Sequence, residues 1–298
     1  MFSREISLPL LAVLLIGATS AHQAPVHAQP HERTVRDTVG LTPGGVSVDN
    51  EEGSIRVSTW NRNAVAYEAR IVSEQAADYV EDTVIEVDTF SQHLSLESTF
   101  DDLESRWTFG PEMIGYGVSK PAVHYTLTIP RTAEMAIDGT ESTIEVTGLR
   151  APLQVETEDG TVQVDDQRGT TRIDTHEGTV SIADMQGDLT VDTHEGTATV
   201  DGLRGRLLLD THEGEADVTV DSLAAVQVDT HEGEVTLRLP RDAGFDLSTD
   251  LGNDAEVRGA LDLDALRDED GNYQGAFRGG GPLVRLTSHE GTIVLESP

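Results

Sequence analysis

Cysteine is absent from the chain, which excludes disulfides, thiolate metal sites and a lipid-bearing N-terminal cysteine. Stability must therefore come from burial and backbone pairing. Aromatic residues make up only 4% of the 298 positions, so a core has to be assembled from Val, Ile, Leu, Ala and Thr, a palette that favours strands. Lysine is nearly missing: Lys120 is the single one, and every other basic residue is arginine. Against 20 basic residues stand 54 acidic ones, a formal net charge of -34. Phosphate binding needs a basic patch, so nucleic acid is not an expected partner. The acidity is spread along the chain and not gathered at one place. This favours a surface kept soluble in salty surroundings, where the screening length falls to ~3 Å at 1 M salt, over a dedicated cation-binding surface.

Long apolar runs are also scarce. The one candidate, Ile6 to Ile16, follows Arg4, precedes small residues and is too short to span a bilayer, which is the layout of a secretory signal peptide. Cleavage after Ala21 or Ala28 fits the small residues there. The expectation is a signal peptide over 1–28, a flexible linker over 29–40, export to the periplasm, cell surface or exterior, and no integral membrane segment after cleavage.

What the chain has is repetition. Asp-Thr-His-Glu-Gly occurs at Asp174–Gly178, Asp192–Gly196, Asp210–Gly214 and Asp229–Gly233, at steps of 18, 18 and 19, and Thr287-Ser288-His289-Glu290-Gly291 is an altered fifth copy. Glycines also fall every nine residues from Gly160 to Gly214. Between them lie apolar pairs two apart, such as Val162/Val164, Leu189/Val191 and Leu207/Leu209, with Thr171 the exception. Period-two alternation marks a strand with one buried face, and glycine supplies the positive φ of tight turns. Nine residues thus make one strand and one turn. The predicted fold is all-β, a parallel β-solenoid resembling a β-helix, with about 18 residues and two strands per coil, coils stacking at ~4.8 Å. Residues 41–134 read as a β-rich N-terminal cap, 135–240 as the regular repeats, and 241–298 as a C-terminal loop or cap with a final coil. The extra residue before Gly233 belongs in a bulge around Asp221 to Ala225.

The order of motifs resembles a known group. Val48-Asp49-Asn50 through Gly53 to Trp60, Tyr125 to Pro130 followed by Gly-x-apolar-x-apolar coils, and Leu239-Pro240 through Leu247 with Gly279–Pro282 and Gly291-Thr292-Ile293 are similar to the bacterial putative-adhesin domain family of exported proteins. That family has no formally assigned function and is related to auto-transporter head adhesins. The resemblance implies a β-solenoid and surface attachment to a cell-surface glycan or protein. It brings no catalytic or binding residue. The chain departs from the family's neutral Thr-Ser-Asn-Gly-like turn by placing ionisable residues there.

Stacked coils would bring those residues into columns. Asp174, Asp192, Asp210 and Asp229 form one, His176, His194, His212 and His231 a second, and Glu177, Glu195, Glu213 and Glu232 a third, while the intervening threonines face inward. Imidazoles and carboxylates one rung apart are candidate ligands for a divalent cation. The competing reading is a favourable turn copied by repeat duplication, its charges solvated. No other cofactor is implied and no catalytic residue is assigned. A polysaccharide-lyase-like β-helix enzyme is the rival, but it calls for longer loops and a unique basic constellation. Asp268-Glu269-Asp270-Gly271-Asn272 reads as an ordinary acidic loop, and Trp60 and Trp107 as packing residues.

Overall fold

The computed structural model describes residues 30–40, 44–74, 77–90, 92–100 and 120–297. The expected signal peptide and residues 101–119 of the expected N-terminal cap, Trp107 among them, lie outside these ranges. The elements run β1 (His31–Gly40), β2 (Gly45–Trp60), β3 (Ala64–Ser73), a short helix α1 (Ala77–Asp82), β4 (Val84–Phe90), β5 (His93–Thr99) and β6 (Ala122–Pro130). The repeats follow as β7 (Glu134–Thr147), β8 (Leu153–Asp165), β9 (Thr171–Ala183), β10 (Leu189–Thr211), β11 (Glu215–Thr230) and β12 (Glu234–Arg238). The chain closes with β13 (Phe245–Leu251), β14 (Glu256–Gly259), a 3-10 turn at Asp264–Leu266, β15 (Gln274–Phe277), β16 (Leu283–Ser288) and β17 (Thr292–Glu296). All strands join one hydrogen-bonded sheet.

From β7 to β12 every pairing is parallel and like meets like. Met135 pairs with Leu153, Leu153 with Thr171, and Thr171 with Leu189, each one motif period further along the chain. The inward side chains therefore stack into continuous rows. Ile137, Val155, Ile173, Val191, Leu209 and Val228 form one, and Ile144, Val162, Val180, Ala198, Ala216 and Val235 another, all buried. Each rung covers apolar surface that its neighbour would otherwise expose, at ~25 cal/mol per Å² removed from water. Thr171 keeps its place in such a row and is fully buried, its hydroxyl directed at the Met185 sulfur at 3.7 Å. The longer last step is taken up after Gly205↔Leu223 and before Leu207↔Val226, within the stretch marked by the spacing of the motifs.

A third, shorter side closes each turn of chain. Leu149, Met185 and Leu203 point inward there, and Gln167 takes the same place, buried and bonded through Nε2 to the Ala151 carbonyl at 2.8 Å. The corner leading into it has positive φ at Gly148, Asp166, Asp184 and Gly202 (78°, 48°, 51° and 74°). Glycine and aspartate share this position because both tolerate the left-handed region.

Positive φ accounts for only some of the repeat glycines. Gly169, Gly178 and Gly187 have φ 139°, 152° and 138°, as expected, yet Gly196, Gly205, Gly214 and Gly233 are not in the left-handed region. What they share is crowding: a Cβ on each would run into the carbonyl oxygen of the equivalent glycine one rung below. Glycine on glycine lets the backbones pass at the ladder spacing where the chain bends.

The flanks are mixed. Residues 29–40, expected as a flexible linker, form β1 from His31, antiparallel to β3 over its whole length. Its polar, half-exposed sequence carries little strand signal by itself, and the partner strand supplies the order. Val35 and Val39 pack on the core from this edge. The N-terminal cap extends one side of the stack through β2, β6, β3 and β1 and the other through β2, β5 and β4. At the far end β16 and β17 stack directly on β11 and β12, and β13 and β14 cover them on the other edge. The segment expected as a long loop or cap after Leu251 is thus a cap containing short strands.

Substituting Gly196 by Ala tests the crowding account, since its φ imposes no penalty of its own. The expected result is a loss of ~1–3 kcal/mol in stability by denaturant melting, as for other overpacked sites; an unchanged midpoint would contradict it.

Candidate functional site

In three of its five copies the Asp-Thr-His-Glu-Gly corner is closed by its own residues, while Thr193 Oγ1 and Thr211 Oγ1 are buried with no hydrogen-bond partner among the described residues. The threonine side chain turns inward and is buried at Thr175, Thr193, Thr211 and Thr230. Thr230 Oγ1 accepts from the Gly233 amide at 3.3 Å, Ser288 Oγ from the Gly291 amide at 3.1 Å, and the Thr175 hydroxyl donates to the Glu177 carbonyl at 3.4 Å. These bonds close the bend locally instead of running along the stack, because a hydroxyl reaches its own backbone two or three residues on more readily than the next rung.

Outward, the predicted columns are present. Asp174 pairs with Asp192 and Asp210 with Asp229, while Glu177 pairs with Glu195. The Glu213 amide donates to the His194 carbonyl and the Glu232 amide to that of His212, both at 2.8 Å, which carries the register onward. Between the carboxylates the imidazoles form a file of five. Ring centroids are 4.8 Å apart for His176–His194, 4.6 Å for His194–His212 and His212–His231, and 4.9 Å for His231–His289. That separation is the ladder step, so the backbone and not ring contact sets it. The first two pairs are stacked nearly parallel (3° and 5°), and the next two, His212–His231 across the longer step and His231–His289, are tilted by 56° and 39°.

Both carboxylate files run further than the motif copies. The aspartate file continues from Asp174 through Glu156, Asp138 and Asp49 to Glu97. The glutamate file continues from Glu177 through Asp159 and Glu141 to Glu52. One period before Asp174 stands Glu156-Thr157-Glu158-Asp159-Gly160, a worn copy of the motif that was legible in the sequence. The extension to Asp49 was not, because Gly45–Val57 of β2 stacks on Glu134–Val146 of β7 from far upstream in the chain. An open groove beside the upper rungs is lined by Asp138, Glu156, Glu158, Asp174, Asp192 and the imidazoles of His176 and His194, among others.

The proximity of like charges shows in the carboxyls themselves. Partial burial, then Asp192 and Asp229, push Asp210 above its ordinary value, with His212 opposing. Burial and then Asp138, Glu97 and Glu51 raise Asp49 in the same way, and burial with Glu141 raises Glu52. Three of the five histidines have a carboxylate nearby: Nδ1 of His176, His194 and His212 stands 4.0, 3.8 and 3.8 Å from Oε1 of Glu177, Glu195 and Glu213. The twelve candidate ligands therefore share one corner. They stand as parallel files, and among the described residues no three histidine or acidic side chains converge as a metal ion would require.

Two other sequence candidates are structural. Asp268 Oδ1 accepts from the Asp270 and Asn272 amides at 3.0 and 2.8 Å and so folds its own loop. Trp60 donates through Nε1 to the Ala64 carbonyl at 2.7 Å, with the Arg62 guanidinium 4.9 Å from its ring centroid.

The family model described as Toastrack DUF4097 matches residues 131–296, which is every repeat and the final coil. The chain belongs to that family. The resemblance read from the sequence agrees with this membership. Solved structures similar to this Toastrack chain include a putative adhesin from Bacteroides fragilis, with 12% identity over 89% of this chain and 97% of that one and a TM-score of 0.37. A putative cell adhesion protein from Clostridium sporogenes has 12% identity, covering 91% of this chain and 100% of that one, with a TM-score of 0.28. A putative adhesin from Parabacteroides merdae has 9% identity, 89% and 96% coverage, and a TM-score of 0.27. No curated protein matches the chain. Among the described residues, no helix is long and apolar enough to cross a membrane.

The raised carboxyls give a signed expectation. A carboxyl whose folded value lies above its unfolded one favours folding below the ordinary range near 3.8, and that contribution is lost as pH rises through the folded value. Asp210→Asn should therefore raise the melting temperature at neutral pH and low salt, and the gain should shrink as sodium chloride is added. A gain that ignores salt would remove like-charge repulsion as its cause.

Proposed function

We infer that this Toastrack chain is an exported, non-enzymatic binding module of the adhesin type, with an acidic surface suited to salty surroundings. The observation that carries the reading is the identity of side chains from rung to rung at the Asp-His-Glu corner. Equal groups repeated at one ladder step, on coils of about 18 residues and two strands, suit an extended partner that makes many similar weak contacts. They do not supply the unlike acid, base and nucleophile that a reaction needs in one place. Coulomb repulsion between exposed carboxylates ~5 Å apart is ~1 kcal/mol per pair in water, so added salt should strengthen the fold that presents them. Attachment to a cell-surface glycan or protein is the role this surface fits. The test is binding of the mature protein to an array of cell-surface glycans and surface proteins at high salt. Saturable binding that weakens when His194 and His212 are both changed to Ala supports the role of this corner; binding untouched by the pair places recognition elsewhere.

A second reading, divalent-cation binding through the same Asp, His and Glu files, is favoured by the 3.8–4.0 Å His–Glu approaches. A side-chain rotation on adjacent rungs would bring an imidazole and two carboxylates onto one ion. Calorimetric titration of zinc and calcium should then give heats that disappear in the His194→Ala, His212→Ala protein. Equal heats in both proteins would dismiss it.

A further inference from the structure

On the N-terminal cap, just past the Glu52 end of the glutamate file, the outward faces of β1, β3, β6, β2 and β7 carry a different chemistry. Three arginines, Arg36, Arg56 and Arg70, stand against three glutamates, Glu68, Glu145 and Glu32, in cross-strand pairs at 3.6, 3.2 and 3.0 Å. These pairs form a charge-balanced island on a chain of formal charge -34. At its centre the Ser54 hydroxyl and the His124 Nδ1 lie 3.0 Å apart, on paired residues of β2 and β6. Ser54 is 8% exposed, and the two side chains line a small concavity with Arg56, Arg70, Thr126 and Glu68.

We propose that Ser54, His124, Arg56 and Arg70 form a binding site for a compact oxyanion, the carboxylate or sulfate of an acidic saccharide. The donors converge. If the serine donates to Nδ1, the imidazole presents Nε2–H to the concavity; if the imidazole donates, the serine hydroxyl is the free donor. Arg56 uses Nε for Glu145 and Arg70 uses Nη1 for Glu32, and each keeps further N–H groups for a planar or tetrahedral anion. The existing pairs do not compete strongly, since all four partners are well exposed and such pairs are worth ~0–1 kcal/mol. Glu68, the one carboxylate lining the concavity, is engaged by Arg36. The local field agrees with this geometry: after burial, Arg70 and then Arg56 hold the imidazole below its ordinary value, and Glu32 only partly offsets them. A neutral imidazole beside two guanidiniums, with hydroxyls at hand, recognises negative charge by hydrogen bonds and does not add a third cation.

This site is independent of the Asp-His-Glu corner, so it stands or falls separately from the function proposed above. The test follows the His124 ring by NMR in the mature protein while sodium sulfate or sodium glucuronate replaces sodium chloride at constant ionic strength. A saturable shift with sulfate alone identifies a sulfated source, with glucuronate alone a carboxylated one, and with both the shared oxyanion chemistry. Arg56→Gln with Arg70→Gln should weaken binding about tenfold or more, as two charge-assisted bonds are lost. Ser54→Ala, which leaves both guanidiniums, should weaken it several-fold, and Arg36→Gln, which leaves Glu68 unpaired beside the anion, should weaken it as well. Shifts no larger than those of chloride, shifts that never saturate, or equal affinity in Ser54→Ala and wild type would overturn the proposal.

Discussion

The structure depends on parallel pairing in which each residue meets its own counterpart one rung away. Backbone hydrogen bonds supply the connection, but they are indifferent to side-chain type, and the selection comes from what lies inside. A slip by one residue would turn every Val, Ile and Leu of a rung to solvent. A slip by a whole nonad would keep glycine on glycine but set the Asp-Thr-His-Glu corner of one coil against the Met185 side of the next. The rows of Ile137–Val228 and Ile144–Val235 hold the register, and all that is outside inherits it.

The outer surface shows the consequence. A ladder that favours like on like in its core also forces like on like outside, and at this corner it aligns carboxylates. Raised values at Asp210, Asp49 and Glu52 are the local cost, and a file of imidazoles between two files of carboxylates is the arrangement that accompanies it. An acidic surface of this kind is easiest to sustain where salt screens it. The same ladder makes the corner a repeating surface, and repetition is the property on which the adhesin-type reading rests.

The repeats were legible because period and burial coincide there. Thr171 was the apparent fault in the pattern, and it proves to sit in its row against Met185. The bulge before Val226 could be located from a single extra residue. Beyond the repeats, legibility fell. β1 has the composition of a linker and is ordered by β3. Helix α1 is a single short turn with one buried residue, Val80, and no periodic pattern to announce it. Positive φ holds at Gly169, Gly178 and Gly187, but at Gly196, Gly205, Gly214 and Gly233 the constraint is the carbonyl of the next rung, a contact that exists only once coils are stacked.

The sequence by itself determined the strand content, the period, the inward and outward faces, and the twelve ionisable residues that would share a corner, because all of these follow from alternation and spacing along one chain. Only the tertiary structure decided that the two acidic files reach Glu97 and Glu52, that the ligand candidates stand side by side and do not converge, and that Ser54 and His124 meet between two arginines. Those relations join strands far apart in sequence through caps that carry no repeat, and no local pattern encodes which distant strand will be the neighbour.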